Sequence, residues 1–513
     1  MTQYLLGLDA GNTMTKAVLF HLDGREVGVA RRRNPISFPA PGHTERDAGA
    51  MWRDLCEAVQ ELLRQHQVDA GDIAAVSVSG YGAGLYCVDR HGQAVRPGVM
   101  STDSRAAPIL AGWERDGRAL RNGQRIQQRL WLGQPAPLLR WLSENEPAAL
   151  QATDTVIFCK DYIRAQLCGE VSTDITDAGL GGLIDVATGT YPDAFYEDLG
   201  LQAWRGKLPR IHGSTDVVGS VSARAATQTG LRQGTPVVCG MVDVCAGAMA
   251  SGVAAPHQLS IIAGTFSINS TLHDAPRLDT LPLLQIAYPV AGRYLATEGS
   301  PTSASNFEWY CKTILGPDAL EAAARRGVSI YDACAEHLGA ALQRPNDILF
   351  LPFLFGGPNG APAGFLNLKA GHDSSDIIRA IFEGIVFAHK LDIDALLQGR
   401  DRAQVSSIRL TGGASRSAVW SQMFADVLGL RVEVTQGGEV GARGAAMCAA
   451  IAIGACPDFP AAMRRMVHVE RVHEPDPARH EAYAHKFRAF GRAARSLAEL
   501  CSGPQDERQA LAA

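Results

Sequence analysis

Short hydrophobic runs open the chain. YLLGL at 4–8, TKAVLFH at 15–21 and EVGVARR at 26–32 predict three strands, the last two joined through Asp23-Gly24, a tight-hairpin signal. A loop rich in Pro and Gly, PISFPAPGHTERD, follows, and Asp47 stands where a helix N-cap is expected. Met51, Leu55, Ala58, Val59, Leu62 and Leu63 then recur at helical spacing, and AAVSVS at 74–79 returns as a strand that stops at Gly80. The order strand, strand, strand, helix, strand predicts a mixed sheet with helices on its faces.

A second start of the same kind lies later. LSIIAG at 259–264 and FSINSTL at 266–272 predict two strands around a tight Gly264-Thr265 turn, as LLGLDAGNTMTKAVLF does at 5–20. An amphipathic helix is expected over 375–397, a strand over 406–411, a Gly-Gly loop, a helix over 416–429, and a Gly/Ala-rich helix after Val440. This pattern predicts two similar α/β domains, over 1–250 and 251–490, followed by a polar tail over 491–513. Two facing domains leave a cleft, where small-molecule sites commonly sit.

Composition narrows the function classes. With 513 residues, 46% of them hydrophobic and 20% charged, the chain is expected to fold into large globular domains without staples. The net charge of −5 and 7% aromatic content argue against nucleic-acid binding, which needs a basic face or stacking platforms. The 11 cysteines form no C-x-x-C pair and no zinc-spaced cluster, so small buried hydrophobes in a reducing cytoplasm are expected, Cys239 and Cys245 included. MTQYLLGLDAG lacks the basic start of a signal peptide, and no apolar run is long enough to span a membrane.

Four segments could carry chemistry. In GLDAGNTMTK (7–16) a strand delivers Asp9 to a turn of Gly11 and small polar residues, whose backbone could approach phosphate closely. A carboxylate beside bare phosphate is unfavourable: two like unit charges at 4 Å repel by about 1 kcal/mol in water and about 4 kcal/mol at an effective dielectric of 20. A divalent cation between them reverses that sign. The alternative is an ordinary hairpin with Asp9 capping its turn, and the P-loop pattern is absent. IIAGTFSINS (261–270) could present Gly264 and Thr265 to a terminal phosphate. In GMVDVCAGAMASG (240–252), Asp243 among small apolar residues is either a general base near a cleft or a helix N-cap. In LTGGASRSAVWSQMFADVLG (410–429), Gly412-Gly413 could lie against a ring or phosphate, while Trp420 and Met423 read as core.

In this order the motifs resemble the FGGY family of carbohydrate kinases. The resemblance runs over about residues 3–490 and includes GHTERDAGAMW (42–52), STDSRA (101–106), PAPLLRWLSENEP (135–147), KDYIRAQLCGEVSTD (160–174), AIFEGIVFAHKLD (380–392) and GEVGARGAAMCAAIAIG (438–454). MTQYLLGLDAGN and RLWLGQPAPLLRWLSENEP are most similar to the L-xylulose (3-keto-L-gulonate) kinase branch. The resemblance implies two ribonuclease H-like (actin-like ATPase) domains flanking a central cleft. It implies an ATP-dependent sugar kinase with Mg²⁺ held by Asp9, and Asn12, Thr13, Thr15 and Lys16 beside the ATP phosphates. Gly264 and Thr265 would meet the β- and γ-phosphates, and Gly412, Gly413, Ala414 and Ser417 would line the nucleotide. Asp243 would take the proton from the sugar hydroxyl, with Tyr81, Asp103 and Arg105 helping to build the sugar pocket. Homodimers are common among such relatives.

The departures concern the sugar. Tyr81 stands where many members carry Gln, Ala83 where a charged residue can occur, and MSTD at 100–103 lacks the usual aromatic before the Asp. GFLNLKAG departs from the family's second signature, which normally has Gly near position 368, and FGGPNGAPA at 355–363 is unusually rich in Gly and Pro. A sugar acid would want a cation, which Ala83 does not supply. The expected acceptor is a neutral ketopentose such as L-xylulose, with another pentulose or an erythritol-like polyol as the alternative. A catalytically weak nucleotide-dependent sugar sensor, or an actin or chaperone relative, is the alternative of another class.

Overall fold

A computed structural model describes residues 3–264, 266–300, 302–328, 330–400 and 402–501. The chain divides into two compact units, each of which interleaves in sequence: Met1–Pro256 with Leu272–Thr297 and Gly437–His468 form the first, and His257–Thr271 with Glu298–Gln436 and Val469–Ala513 form the second.

The first unit is built on a six-stranded sheet. Its order is Val217–Ser220, Pro236–Val242, Ile73–Gly80, Tyr4–Ala10, Met14–His21 and Glu26–Arg33. Tyr4–Ala10 runs antiparallel to Met14–His21 and parallel to Ile73–Gly80, so the hairpin-then-crossover pattern gives the mixed sheet it predicts. Gly24 turns the second hairpin with φ 86°. Asp47 caps the helix Ala48–Gln65 by accepting a hydrogen bond from the Ala50 amide, and Met51, Leu55, Ala58, Val59 and Leu62 are buried.

Strand alternation decides which face does what. Leu6, Leu8 and Ala10 pack with Met51 and Leu55 in one core. Gly7 and Asp9 point the other way, and the helix Val440–Ala452 lies on them. A Cβ on Gly7 would sit 2.2 Å from the Ala442 carbonyl oxygen, one on Gly441 2.7 Å from the Asp9 carboxylate, and one on Gly444 2.6 Å from the Ala246 Cα. This helix falls within the span 251–490 that the sequence reading gives to the second domain; the structure places it in the first unit, because those glycines remove the side chains that would keep it off the sheet.

The second unit repeats the theme. Gln258–Ala263 pairs antiparallel with Ser267–His273 and parallel with Ser407–Gly412, which pairs with Val432–Thr435, and Val469–His473 closes that edge antiparallel. The helices Ser374–Leu396 and Ala418–Leu428 supply Phe382, Phe387, Trp420 and Met423 to its core, as their spacing predicts. The helix Pro477–Cys501 buries Tyr483, Phe490, Ala494 and Ala498, so residues 491–501 belong to a packed helix and not to a tail; 502–513 lie outside the described residues. All 11 cysteines are free thiols. No described helix is long and apolar enough to cross a membrane.

Gly444→Ala should destabilise the protein by about 1–3 kcal/mol, because overpacking against backbone outweighs the roughly 1 kcal/mol gained in helix propensity. Gly438→Ala, whose Cβ would meet nothing within 4 Å, is the control. Denaturant unfolding of the two variants checks this.

Candidate active site

Asp9 and Asp243 are both in the first unit, and both are recessed carboxylates. Asp9 sits near the end of Tyr4–Ala10 and is 8% exposed. Its neighbour in register, Lys16, holds its ammonium 3.8 Å from Oδ2, while Oδ1 has no hydrogen-bond partner. Burial pushes the Asp9 carboxyl up to about 6; Lys16 opposes the rise and Glu439 adds to it. Glu439, just before the helix Val440–Ala452, binds Lys16 at 2.8 Å and Arg31 at 2.5 Å. The sequence reading did not find Glu439's role, since no local signal links it to two residues of the N-terminal hairpins.

The turn after Asp9 is clamped from below. The Gly11 amide donates to the Met14 carbonyl at 3.0 Å. Arg46, 1% exposed, donates to the carbonyls of Gly11 and Asn12, and Asn34 donates its side-chain amide to Gly11 and its backbone amide to Thr13. Thr15 is fully buried and donates its hydroxyl to Asn34 Oδ1 at 2.7 Å, so it supports the turn from beneath and offers no exposed hydroxyl. Arg46 and Asn34 are the residues that sequence reasoning missed here. Asn12 Oδ1 is a buried acceptor with no partner.

Asp243 opens the helix Asp243–Ala250, directly after Pro236–Val242. The cap position belongs to Val242, so the N-cap reading of Asp243 does not hold. Burial, with the charge of Asp9 adding to it and a backbone hydrogen bond from Val244 opposing it, pushes the Asp243 carboxyl up to about 7. Two carboxylates that resist ionisation, one of them in the field of the other, can receive a cation or a proton.

The residues expected to build a sugar pocket form part of a buried polar cluster. Arg105 donates to Asp103 through Nε at 2.9 Å and Nη2 at 2.8 Å, and also to Glu45 at 2.8 Å. Its guanidinium lies 5.0 Å from the Trp141 ring centroid, and its Nη1 makes no hydrogen bond. Glu45 accepts a further bond from Arg96 at 2.5 Å, and Glu146 accepts one from Arg96 Nε at 2.9 Å. Tyr81 is 1% exposed and its hydroxyl meets that of Tyr86 at 3.1 Å, inside the core. Ala83 is fully buried with φ 60°, so its methyl group does not reach solvent.

In the second unit, Gly412 pairs with Ala263 and has φ 87°; a Cβ there would strike the Ala263 carbonyl at 2.7 Å. Gly413–Arg416 forms one 3-10 turn, Ala414 is fully buried, and Ser417 caps the next helix by accepting from the Trp420 amide. The Gly264 carbonyl accepts from the Ala304 amide at 2.9 Å. Thr265 lies outside the described residues.

No group of three or more metal-ligating side chains exists among the described residues. The donor set instead fits a hard cation that keeps its waters: one carboxylate, with the buried acceptor Asp9 Oδ1 left without a donor.

Comparison with known proteins agrees with this architecture. Residues 4–250 match the N-terminal domain of the FGGY family of carbohydrate kinases, and 259–453 match its C-terminal domain. The chain is 33% identical over 494 residues to the L-xylulose/3-keto-L-gulonate kinase of Escherichia coli, covering 96% of each protein. Its fold is shared with a gluconate kinase from Lactobacillus acidophilus (TM-score 0.87, 22% identity, 97% and 99% of the two chains). A xylulose kinase from Rhodospirillum rubrum is similar at TM-score 0.84 and 26% identity, again over 97% and 99%. Two ribonuclease H-like (actin-like ATPase) domains of this family define a sugar phosphotransferase that uses ATP. The chain belongs to the FGGY family of carbohydrate kinases.

The raised Asp243 pKa has a stability consequence. A carboxyl whose folded pKa lies above its unfolded value of 3.8 costs the fold stability as pH rises from there to about 7, and the cost is complete above. Asp243→Asn should therefore raise Tm at pH 8, with a smaller gain at pH 5, as thermal unfolding at the two pH values will show.

Proposed function

We propose that this chain transfers the γ-phosphoryl group of Mg·ATP to a hydroxyl of a small neutral ketose, a ketopentose such as L-xylulose. The observation that carries the mechanism is Asp243, a recessed carboxylate raised to about 7 at the start of a helix, beside the field of Asp9. Asp243 accepts the proton of the acceptor hydroxyl as that oxygen bonds to the γ-phosphorus; the bond from phosphorus to the bridging oxygen breaks and ADP leaves with the electron pair. Asp9 would hold Mg²⁺, with Asn12, Thr13 and Lys16 along the phosphates; the ion would supply neutralisation of phosphate charge. Gly264, Thr265, Gly412 and Gly413 serve the nucleotide, as the family resemblance implies.

Asp103 and Arg105 shape the sugar side. Arg105 is matched by Asp103 and Glu45, and Arg96 by Glu45 and Glu146, so this cluster has no spare cation for a sugar carboxylate. That favours a neutral acceptor over 3-keto-L-gulonate, which the Escherichia coli relative's name includes. Arg105 Nη1 makes no hydrogen bond and faces Glu146 at 3.8 Å, so its charge too is matched within the cluster.

An ADP-release assay with Mg·ATP should show turnover on a neutral ketopentose well above ATP hydrolysis and above 3-keto-L-gulonate. Turnover on the acid alone would overturn the reading of the acceptor. Asp243→Ala should cut kcat by roughly 10²–10⁴, with nucleotide affinity retained by calorimetry. Because the base works only as carboxylate, kcat/KM should be full above about pH 7 and fall roughly tenfold per pH unit below it; a flat profile down to pH 5 would remove Asp243 from that role.

A further inference from the structure

Behind the strand that ends at Val242 lies a charge cluster with no exposed side chain. Lys160 Nζ is 2.6 Å from Asp161, 3.0 Å from Asp174 and 3.2 Å from Asp177, and Arg164 is 3.1 Å from Asp161; all five are fully buried. Burial opposes ionisation of Asp174, but Lys160 and the hydroxyls of Ser214 and Thr176 outweigh it and hold its carboxyl low. Burying so many charges adds little to stability over apolar packing, so a positional role is the better physical account.

One set of its hydrogen bonds runs toward the end of that strand. Asp174 Oδ2 accepts from the Thr176 hydroxyl at 2.7 Å and from the Ser214 hydroxyl at 2.7 Å. With its proton given to Asp174, Thr176 Oγ1 can only accept, and it does so from the Val242 amide at 2.9 Å. Ser214 accepts the Gly240 amide on its carbonyl at 2.9 Å, and Arg164 donates to the Cys239 carbonyl and sulfur at 3.3 and 2.8 Å. The strand is irregular here: its register shifts between Val238 and Met241, and Gly240 has φ 79° with the Val78 carbonyl 1.9 Å from where a Cβ would be. A bulged strand has lost ladder bonds and needs other partners to fix its end. The cluster supplies them at 239, 240 and 242, and the next residue is Asp243.

We propose that Thr176, locked by Asp174 and Lys160, is a positioning residue that sets the place and direction of Asp243 by holding the Val242 amide; this rests on the reading of Asp243 as the base. The geometry is one-way: a hydroxyl whose proton is committed inward leaves only a lone pair for the helix start that carries the carboxylate. Thr176 is fully buried, so its effect passes through the backbone that carries Asp243.

The test uses full-length Thr176→Val, Thr176→Ser, Asp243→Asn and the Thr176→Val/Asp243→Asn double variant, each checked for folding by thermal unfolding. Thr176→Val keeps the shape and loses the hydroxyl; it should lower kcat roughly 10- to 100-fold, the scale of a misplaced catalytic group, with KM for ATP unchanged. Thr176→Ser should restore most of the loss. In the Asp243→Asn background, Thr176→Val should produce no further loss in single-turnover rate. Wild-type kcat for folded Thr176→Val, or an undiminished loss in that background, would overturn the proposal. If Thr176→Val does not fold, Thr176→Ala takes its place with the same expectations. Asp243→Asn turning over like the wild type would instead overturn the base assignment.

Discussion

The first unit depends on the contact of a glycine-bearing helix with the face that carries Asp9. Val440–Ala452 reaches the sheet because Gly7 has no side chain, reaches Asp9 because Gly441 has none, and reaches the Asp243 helix because Gly444 has none. Asp9 is thereby buried, and burial raises its carboxyl to about 6, while that of the half-buried Asp243 is raised to about 7. Any side chain at those glycines would push apart the elements that set the site.

The unit treats buried charge in two ways. Lys160, Arg164 and their three aspartates, like Arg105 with Asp103 and Glu45, are met at hydrogen-bond distance by opposite charges and serve as fixed points. Asp9 and Asp243 are not so met: Asp9 leaves one oxygen without a donor, and Asp243 is opposed by burial and by Asp9. Asp177 stands between the two kinds: Lys160 lies 3.2 Å from it, yet burial still holds its carboxyl well above the usual carboxylate range. Membership of the FGGY family over nearly the whole chain sets the chemistry as phosphoryl transfer to a sugar.

Much of this was legible in the order of residues. The strands Tyr4–Ala10, Met14–His21, Ile73–Gly80 and Gln258–Ala263 follow runs of apolar residues, and Asp47 begins a helix because its oxygen accepts an amide that the helix leaves free. The family resemblance pointed to Asp9 and Asp243. It could not show that Thr15 lies under its turn or that Tyr81 lies in the core, because the same residue type suits either place.

Local periodicity and turn chemistry therefore determined the elements and the repeated hairpin, since each depends on neighbours a few positions away, and the order of the motifs carried the resemblance to the family. The membership of Val440–Ala452 in the first unit, the clamp of Arg46 and Asn34, the link of Glu439 to Lys16, and the path from Lys160 to Val242 came only with tertiary structure. Each joins residues distant in sequence through close backbone approach or a buried charge, and the energy of such contacts exists only once water has been excluded.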